Sequence, residues 1–136
     1  MEAALTRFGE RFLKRVYTPL EVAVCRGRAK RPRVSELAAR FAAKEAVMKA
    51  LGTGAKGVAW REIEVLPNRR GKPLVYLHGR AKARAEKIEL DGLDISLTHD
   101  GNLAIAMVVG QSRDLVAERD EWREELARYL RERELL

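Results

Sequence analysis

The run from Arg40 to Gly54, RFAAKEAVMKALGTG, constrains this chain more than any other stretch. It reads as the body of a helix that Ser35 caps at its start and Gly52 stops at its end. Set residues 100° apart about the axis, and Leu37, Phe41, Met48 and Leu51 fall within about 40° of one direction. Lys44 falls among them. Arg40 and Glu45 lie at the edges of that stripe, with Lys49 just beyond Glu45. Ala39, Ala42, Ala43, Ala46, Val47 and Ala50 make the opposite face, which admits another backbone at close range. Burying unpaired charge is costly, so the four charged residues either pair with one another or line a polar cleft. Glu45 and Lys49, at i and i+4 in the favourable order, fit ion pairing. The Gly52-Thr53-Gly54 turn that follows favours an anion or metal–phosphate site.

A chain of 136 residues, 46% hydrophobic and 35% charged, is long enough for one globular domain with a real core. No apolar run approaches the ~18 residues of a membrane span, and no signal peptide opens the sequence, so a cytoplasmic protein without membrane contact fits. Cys25 is the only cysteine, which leaves no disulfide framework or zinc set and reads as a small helix residue. The net charge of +7 is uneven. Residues 1–40 hold ten Lys/Arg against four Asp/Glu, and residues 111–136 are net acidic. Such a basic end attracts polyanions: nucleic acid, a phosphate-rich cofactor or an acidic protein. Nucleic acid is set aside, because no stacking aromatics interleave the cations and no DNA- or RNA-reading motif is visible.

Along the chain, residues 2–16 read as a helix with Leu5, Phe8, Phe12 and Val16 on one stripe. Thr18-Pro19-Leu20-Glu21 is a capping box with proline at N1, opening a second helix that ends near Gly27. After the long helix, residues 60–66 and 73–78 alternate as two strands of a hairpin, and residues 81–88 form a short basic helix. Asp91-Gly92 reads as a turn. Leu93, Ile95, Leu97 and His99 share one face of the next strand, which Asp100-Gly101 joins to a last strand over 102–109. The fold class is α+β with an antiparallel sheet and packed helices. Residues 1–110 read as the domain and 111–136 as a helical extension, with Leu115, Trp122, Leu126, Tyr129 and Leu136 on one stripe for packing or oligomerisation. His78 reads as a surface or packing residue. His99, at a strand end beside Asp100 and a tight turn, is the better site histidine.

Taken together, Arg40-Phe41-Ala42-Ala43-Lys44-Glu45-Ala46, Lys49-Ala50-Leu51-Gly52-Thr53-Gly54, Ile63-Glu64-Val65 with Gly71-Lys72-Pro73, and Ile95-Ser96-Leu97-Thr98-His99-Asp100 resemble the signature of holo-acyl-carrier-protein synthases. The opening Arg7-Phe8-Gly9-Glu10-Arg11-Phe12-Leu13 and Tyr17-Thr18-Pro19 fit as well. The resemblance runs over roughly residues 2–110. It implies the 4′-phosphopantetheinyl transferase-like fold and transfer of 4′-phosphopantetheine from coenzyme A to a serine of acyl carrier protein, in fatty acid biosynthesis. The alternative is a catalytically impaired coenzyme A- or carrier-binding homologue. It also implies Mg²⁺ on the coenzyme diphosphate and a homotrimer with sites between subunits. Glu45 is then a metal ligand, and Glu45, Lys49, His99 and Asp100 are the catalytic set. Arg40, Lys44, Lys49, Gly52, Thr53, Gly54, Lys72, Pro73 and His99 hold the coenzyme.

That chemistry is physically consistent. Phosphoryl-type transfer asks for charge neutralisation and in-line positioning, Mg²⁺ takes carboxylate and phosphate oxygens with water, and lysine is a point charge suited to phosphate. Whether the serine proton goes to a side chain or to a metal-bound water stays open at this level. Acyl carrier proteins are acidic, so Arg7, Arg11, Lys14 and Arg15 are expected to steer docking. The family also opens on a Gly-x-Asp-Ile strand whose Asp is the second protein metal ligand. This sequence begins at Met1-Glu2-Ala3-Ala4, already in the following helix, and truncation is the expected reason.

Overall fold

The computed structural model describes residues 2–112 and 116–136, with side chains for residues 9–111 and 120–136. Helix α1 (Glu2–Val16) is interrupted at Gly9, where φ of +54° departs from helical geometry. Glycine tolerates that conformation without Cβ strain. Helix α2 (Pro19–Arg26) starts as expected. Thr18 Oγ accepts from Glu21 N, the Glu21 carboxylate accepts from Thr18 N, and Pro19 sits at the first helical position. Helix α3 (Val34–Leu51) begins one residue before Ser35, so Ser35 is inside the helix rather than its cap. Both the backbone N–H and the Nε of Arg33 donate to the Cys25 carbonyl, which ties the helix entry to the end of α2. Gly52 ends α3 in the left-handed region with φ of +72°, the expected stop. The four-residue helix α4 (Gly54–Gly57) follows.

The first hairpin pairs β1 (Ile63–Pro67) with β2 (Pro73–Leu77), antiparallel from Ile63↔Leu77 to Pro67↔Pro73. Residues 60–62, expected as strand, form a single 3₁₀ turn instead. Helix α5 (Gly79–Lys87) is held at its start by Glu62, whose carboxylate accepts from the backbone N–H of Arg80 and Ala81. The second hairpin pairs β3 (Leu90–Asp100) with β4 (Leu103–Ser112). Here Asp91-Gly92 is not a turn. Pairing shifts register between Asp91 and Leu93, and Gly92 at φ +74° takes up the bulge within one long strand. The tight turn falls on Gly101-Asn102, one residue later than expected, because Asp100 still pairs with Leu103. The hairpins form two separate two-stranded sheets rather than one. Helix α6 (Val116–Glu132) completes the order.

Helix α3 is the axis of the packing. Its Val47, Met48 and Leu51 join Val58, Ile63, Ala81 and Ala85 in one core cluster, and Leu37 joins Val16, Tyr17 and Cys25 in a second. Ala43 is fully buried against Val65 and Ile95, the close approach that its small side chain permits. Between these apolar clusters lies a buried ionic one. Lys44 Nζ donates to Glu21 Oε1 (2.6 Å) and to the carbonyls of Ile63 (2.6 Å) and Trp60 (3.1 Å). Glu21 also accepts from Thr18 N and Val65 N. Thr18 Oγ donates to Glu64 Oε2 at 2.5 Å, and the other Glu64 oxygen lies 3.2 Å from His78 Nε2. Burial pulls the Lys44 ammonium below the usual lysine range, and the facing Glu21 carboxylate opposes that pull.

Two outcomes follow. Lys44→Met leaves a buried carboxylate and two buried carbonyls without their donor, and should cost about 3–5 kcal/mol in urea unfolding; Glu45→Gln, one residue on but exposed, should change stability by less than about 0.5 kcal/mol. Burial pushes the Cys25 thiol up to about 11. The native chain should therefore leave a thiol reagent untouched at pH 8 and react only once urea unfolds it.

Candidate active site

The residues of the Arg40–Gly54 run do not act as a set. Arg40 is buried, its Nε donating to the Val65 carbonyl (3.1 Å) and its Nη1 to the Glu36 carboxylate (2.9 Å). Lys44 is wholly buried in the cluster described above, with three acceptors for its three protons. Both cations brace the fold, and their described hydrogen bonds go to protein oxygens. Lys44, with an acceptor for each of its three protons, has none left for a phosphate.

Glu45 and Lys49 are different. Both are exposed on α3, and neither side chain makes an ion pair or hydrogen bond among the described residues. The i,i+4 pairing that the spacing allowed is not formed. Two turns past Glu45, α3 runs into the Gly52-Thr53-Gly54 turn, where Gly52 and Gly54 are exposed at positive φ. Thr53 Oγ is buried there without a hydrogen-bond partner. Arg84 of α5, a residue that nothing in its sequence context marked, donates from Nε to the Leu51 carbonyl at 2.9 Å and so pins this turn. An uncommitted carboxylate, an uncommitted ammonium and a glycine-lined turn thus share one exposed end of α3. A hard divalent cation and phosphate oxygens are the ligands that such groups suit. Among the described residues, no three His, Cys, Asp or Glu side chains gather as a ready-made metal cage.

His99 and Asp100 are exposed at the end of β3. His99 Nε2 lies 3.9 Å from Glu36 Oε1, and Arg40 holds the other Glu36 oxygen. Glu36 was not singled out in the sequence; only its i,i+4 relation to Arg40 marks it. Glu36 and Glu45 are nine residues apart on α3, which is half a turn around the axis and about 13 Å along it. His99 therefore stands on the far side of the helix from Glu45. Pro73 opens β2, and Lys72 just before it ends a loop that Asn68 organises, its Oδ1 accepting from the N–H of Arg70 and Lys72. The Lys72 ammonium makes only a loose 3.4 Å contact with Asp94, both side chains being more than half exposed. His78 is half-exposed and paired with the buried Glu64.

On the basic side, Arg11, Lys14 and Arg15 are exposed on α1; the Arg7 side chain lies outside the described residues. Between α1 and α2 runs a groove of about 520 Å³, with Leu13, Tyr17 and Val22 among its lining and Lys14, Arg26 and Arg61 as its cations. Glu10 is the one acid among its described lining residues. No helix among the described residues is long and apolar enough to cross a membrane.

A family model described as the 4′-phosphopantetheinyl transferase superfamily matches residues 1–108. A holo-[acyl-carrier-protein] synthase of Herpetosiphon aurantiacus is 49% identical over 114 residues, 79% of this chain and 86% of the relative. The fold matches the Helicobacter pylori holo-[acyl-carrier-protein] synthase in complex with coenzyme A, with a TM-score of 0.69 and 32% identity over 81% of this chain and 90% of that one. It also matches an ACPS–CoA complex of Chronobacterium ammoniagenes, with a TM-score of 0.72 and 33% identity over 83% of this chain and 89% of that one. With an α+β fold, an ordered motif set and these likenesses in agreement, the chain belongs to the holo-[acyl-carrier-protein] synthase family of the 4′-phosphopantetheinyl transferase superfamily.

Proposed function

We propose that this chain moves the 4′-phosphopantetheine group of coenzyme A onto a serine hydroxyl of an acidic acyl carrier protein, with Mg²⁺, in a homotrimer whose sites lie between copies. The observation that carries this reading is the split of the site residues across α3. Glu45 and Lys49 are exposed and uncommitted on one side, and His99 stands with Glu36 on the other. One copy does not bring the two halves together, and a neighbouring copy can. The outer face of β4 supports such an assembly: Leu103, Ile105, Met107 and Val109 alternate along it, 63, 54, 65 and 62% exposed. A contiguous apolar face of that kind marks an interaction surface, and a closed ring of copies covers it.

In this reading Glu45 supplies a carboxylate oxygen to the metal, and Lys49 neutralises phosphate. Gly52, Thr53 and Gly54 receive the nucleotide, with Lys72 and Pro73 of the hairpin beside it. His99, with Asp100, comes from the neighbour to the reacting phosphate. Bound Mg²⁺ supplies charge neutralisation on the diphosphate. Arg11, Lys14 and Arg15 steer the acidic carrier. The physical division is economical: the chain does little covalent chemistry and mostly positions charge.

Transfer of labelled phosphopantetheine from coenzyme A to an apo-carrier tests the activity; no transfer with any carrier overturns it. Glu45→Gln and His99→Ala should each lower kcat/KM about 100-fold without lowering the melting temperature. Mixing and reassembling the two variants should return about a quarter of wild-type activity, because half the sites draw an intact Glu45 and half of those an intact His99. A mixture no more active than its parts would sink the shared-site arrangement. Reversing the charge of Arg11, Lys14 and Arg15 together should raise the carrier KM at low salt and leave the coenzyme A KM alone.

A further inference from the structure

The stripe expected on α6 is only partly there: Leu136 lies past the end of the helix, and Leu115 lies outside the described residues. The end of α3 carries more, because there a helix is asked to receive an anion at its negative pole. The last four carbonyls of a helix lack intrahelical partners, and the aligned peptide dipoles leave about half a negative charge beside them. The Gly52-Thr53-Gly54 turn, proposed above to receive a nucleotide, lies at that pole. The turn itself covers two of the carbonyls: the Gly52 N–H donates to Lys49 and the Thr53 N–H to Met48. The carbonyl of Leu51, the last helical residue, is covered from outside by Arg84 Nε at 2.9 Å. Helix α5, which carries Arg84, is itself fixed. Ala81 and Ala85 are buried in one cluster with Met48 and Leu51, and Glu62 holds the helix start. The half-buried guanidinium lies against the turn, with Nη2 3.5 Å from the point where a Cβ on Gly52 would stand. Arg40 and Arg80 each meet a carboxylate, Glu36 and Glu62. Among the described residues neither Nη of Arg84 meets any acceptor. Beyond the guanidinium opens a cleft of about 510 Å³ walled by Leu51, Ile88, Leu90 and Val108, with Arg84 the one charged residue among its described lining.

We propose that Arg84 is a phosphate-binding residue of the coenzyme site, and that it turns the carbonyl end of α3 into an anion-accepting one. The inference rests on the nucleotide placement proposed above. The Leu51 carbonyl holds the guanidinium by its Nε, and the free Nη edge meets phosphate oxygens over Gly52, where no Cβ intervenes. A fixed, planar cation presenting parallel N–H groups suits phosphate. Lys49, exposed in the last turn of α3, adds a second positive charge. A neutral donor at position 84 would brace the Leu51 carbonyl as well, but only a cation reverses the sign of the helix end. Coenzyme A carries a diphosphate and a ribose 3′-phosphate, and both present the same oxygens to such a group.

Calorimetric titration of the full chain with coenzyme A tests this assignment. Arg84→Gln, which keeps an N–H for the Leu51 carbonyl and loses the charge, should weaken binding about tenfold and flatten its dependence on salt. Arg84→Lys, which keeps the charge, should weaken it less than about threefold. The KM for the carrier should not move in either variant. Repeating the titration with 3′-dephospho-coenzyme A separates the two phosphate sources. An equal loss for both ligands assigns the diphosphate, and a loss confined to coenzyme A assigns the 3′-phosphate. Equal weakening by Gln and Lys would mean a brace that takes no anion, and full affinity in Arg84→Gln would mean no part in binding; either overturns the inference. A wild-type chain that binds coenzyme A with this dependence on Arg84 but transfers nothing would sink the enzymatic reading alone. A wild-type chain that transfers while Arg84→Gln keeps full affinity would sink the Arg84 assignment alone.

Discussion

The Glu21–Lys44 ion pair is the constraint on which the rest of the structure depends. Two opposite charges sit at zero exposure, where either one alone is untenable. The cost of bringing them in is offset by completeness. All three Lys44 protons find oxygens, and Glu21 takes two backbone N–H groups besides. The Tyr17 ring, 5.5 Å from the Lys44 nitrogen, closes the remaining side. Four segments meet there: the start of α2, the middle of α3, the 3₁₀ turn and β1.

That anchoring decides where the chemistry goes. Consecutive residues on a helix point about 100° apart, so a Lys44 locked inward turns Glu45 outward. The same geometry carries Lys49 to the surface and delivers Gly52 to the end of the helix, where Arg84 holds the Leu51 carbonyl. On the far side, Arg40 braces Glu36, and Glu36 faces His99. The inward cations thus aim the outward groups. Buried and exposed charges thus fall to neighbouring residues of one motif.

Much of this was legible in the sequence. The Thr18-Pro19-Leu20-Glu21 box, the Gly52 stop, the order of helices and hairpins, and the family all followed from local chemistry or from the joint pattern of motifs. What was not legible depended on long-range contacts. A helical wheel showed that Lys44 and Arg40 sat in an apolar stripe. It could not show that Glu21, 23 residues earlier, and the Val65 carbonyl, 25 residues later, would satisfy them there. Glu36 was invisible as a neighbour of His99 because only the packing of β3 against α3 brings them near. The Asp91-Gly92 error had a local cause: a glycine at positive φ serves a bulge as well as a turn, and the choice was made by pairing further along the strand.

The buried pair also bears on how this chain folds. Thr18 meets Glu64 across 46 residues, Glu21 meets Val65 across 44, and Lys44 meets Glu21 across 23. None of these partners is satisfied until the others arrive, so partial assembly strands a charge rather than saving a contact. Helix α3 on its own has little reason to turn Glu45 outward rather than Lys44. The surface that carries Glu45 and the interior should therefore form in one cooperative step, with loss of either read out as loss of both.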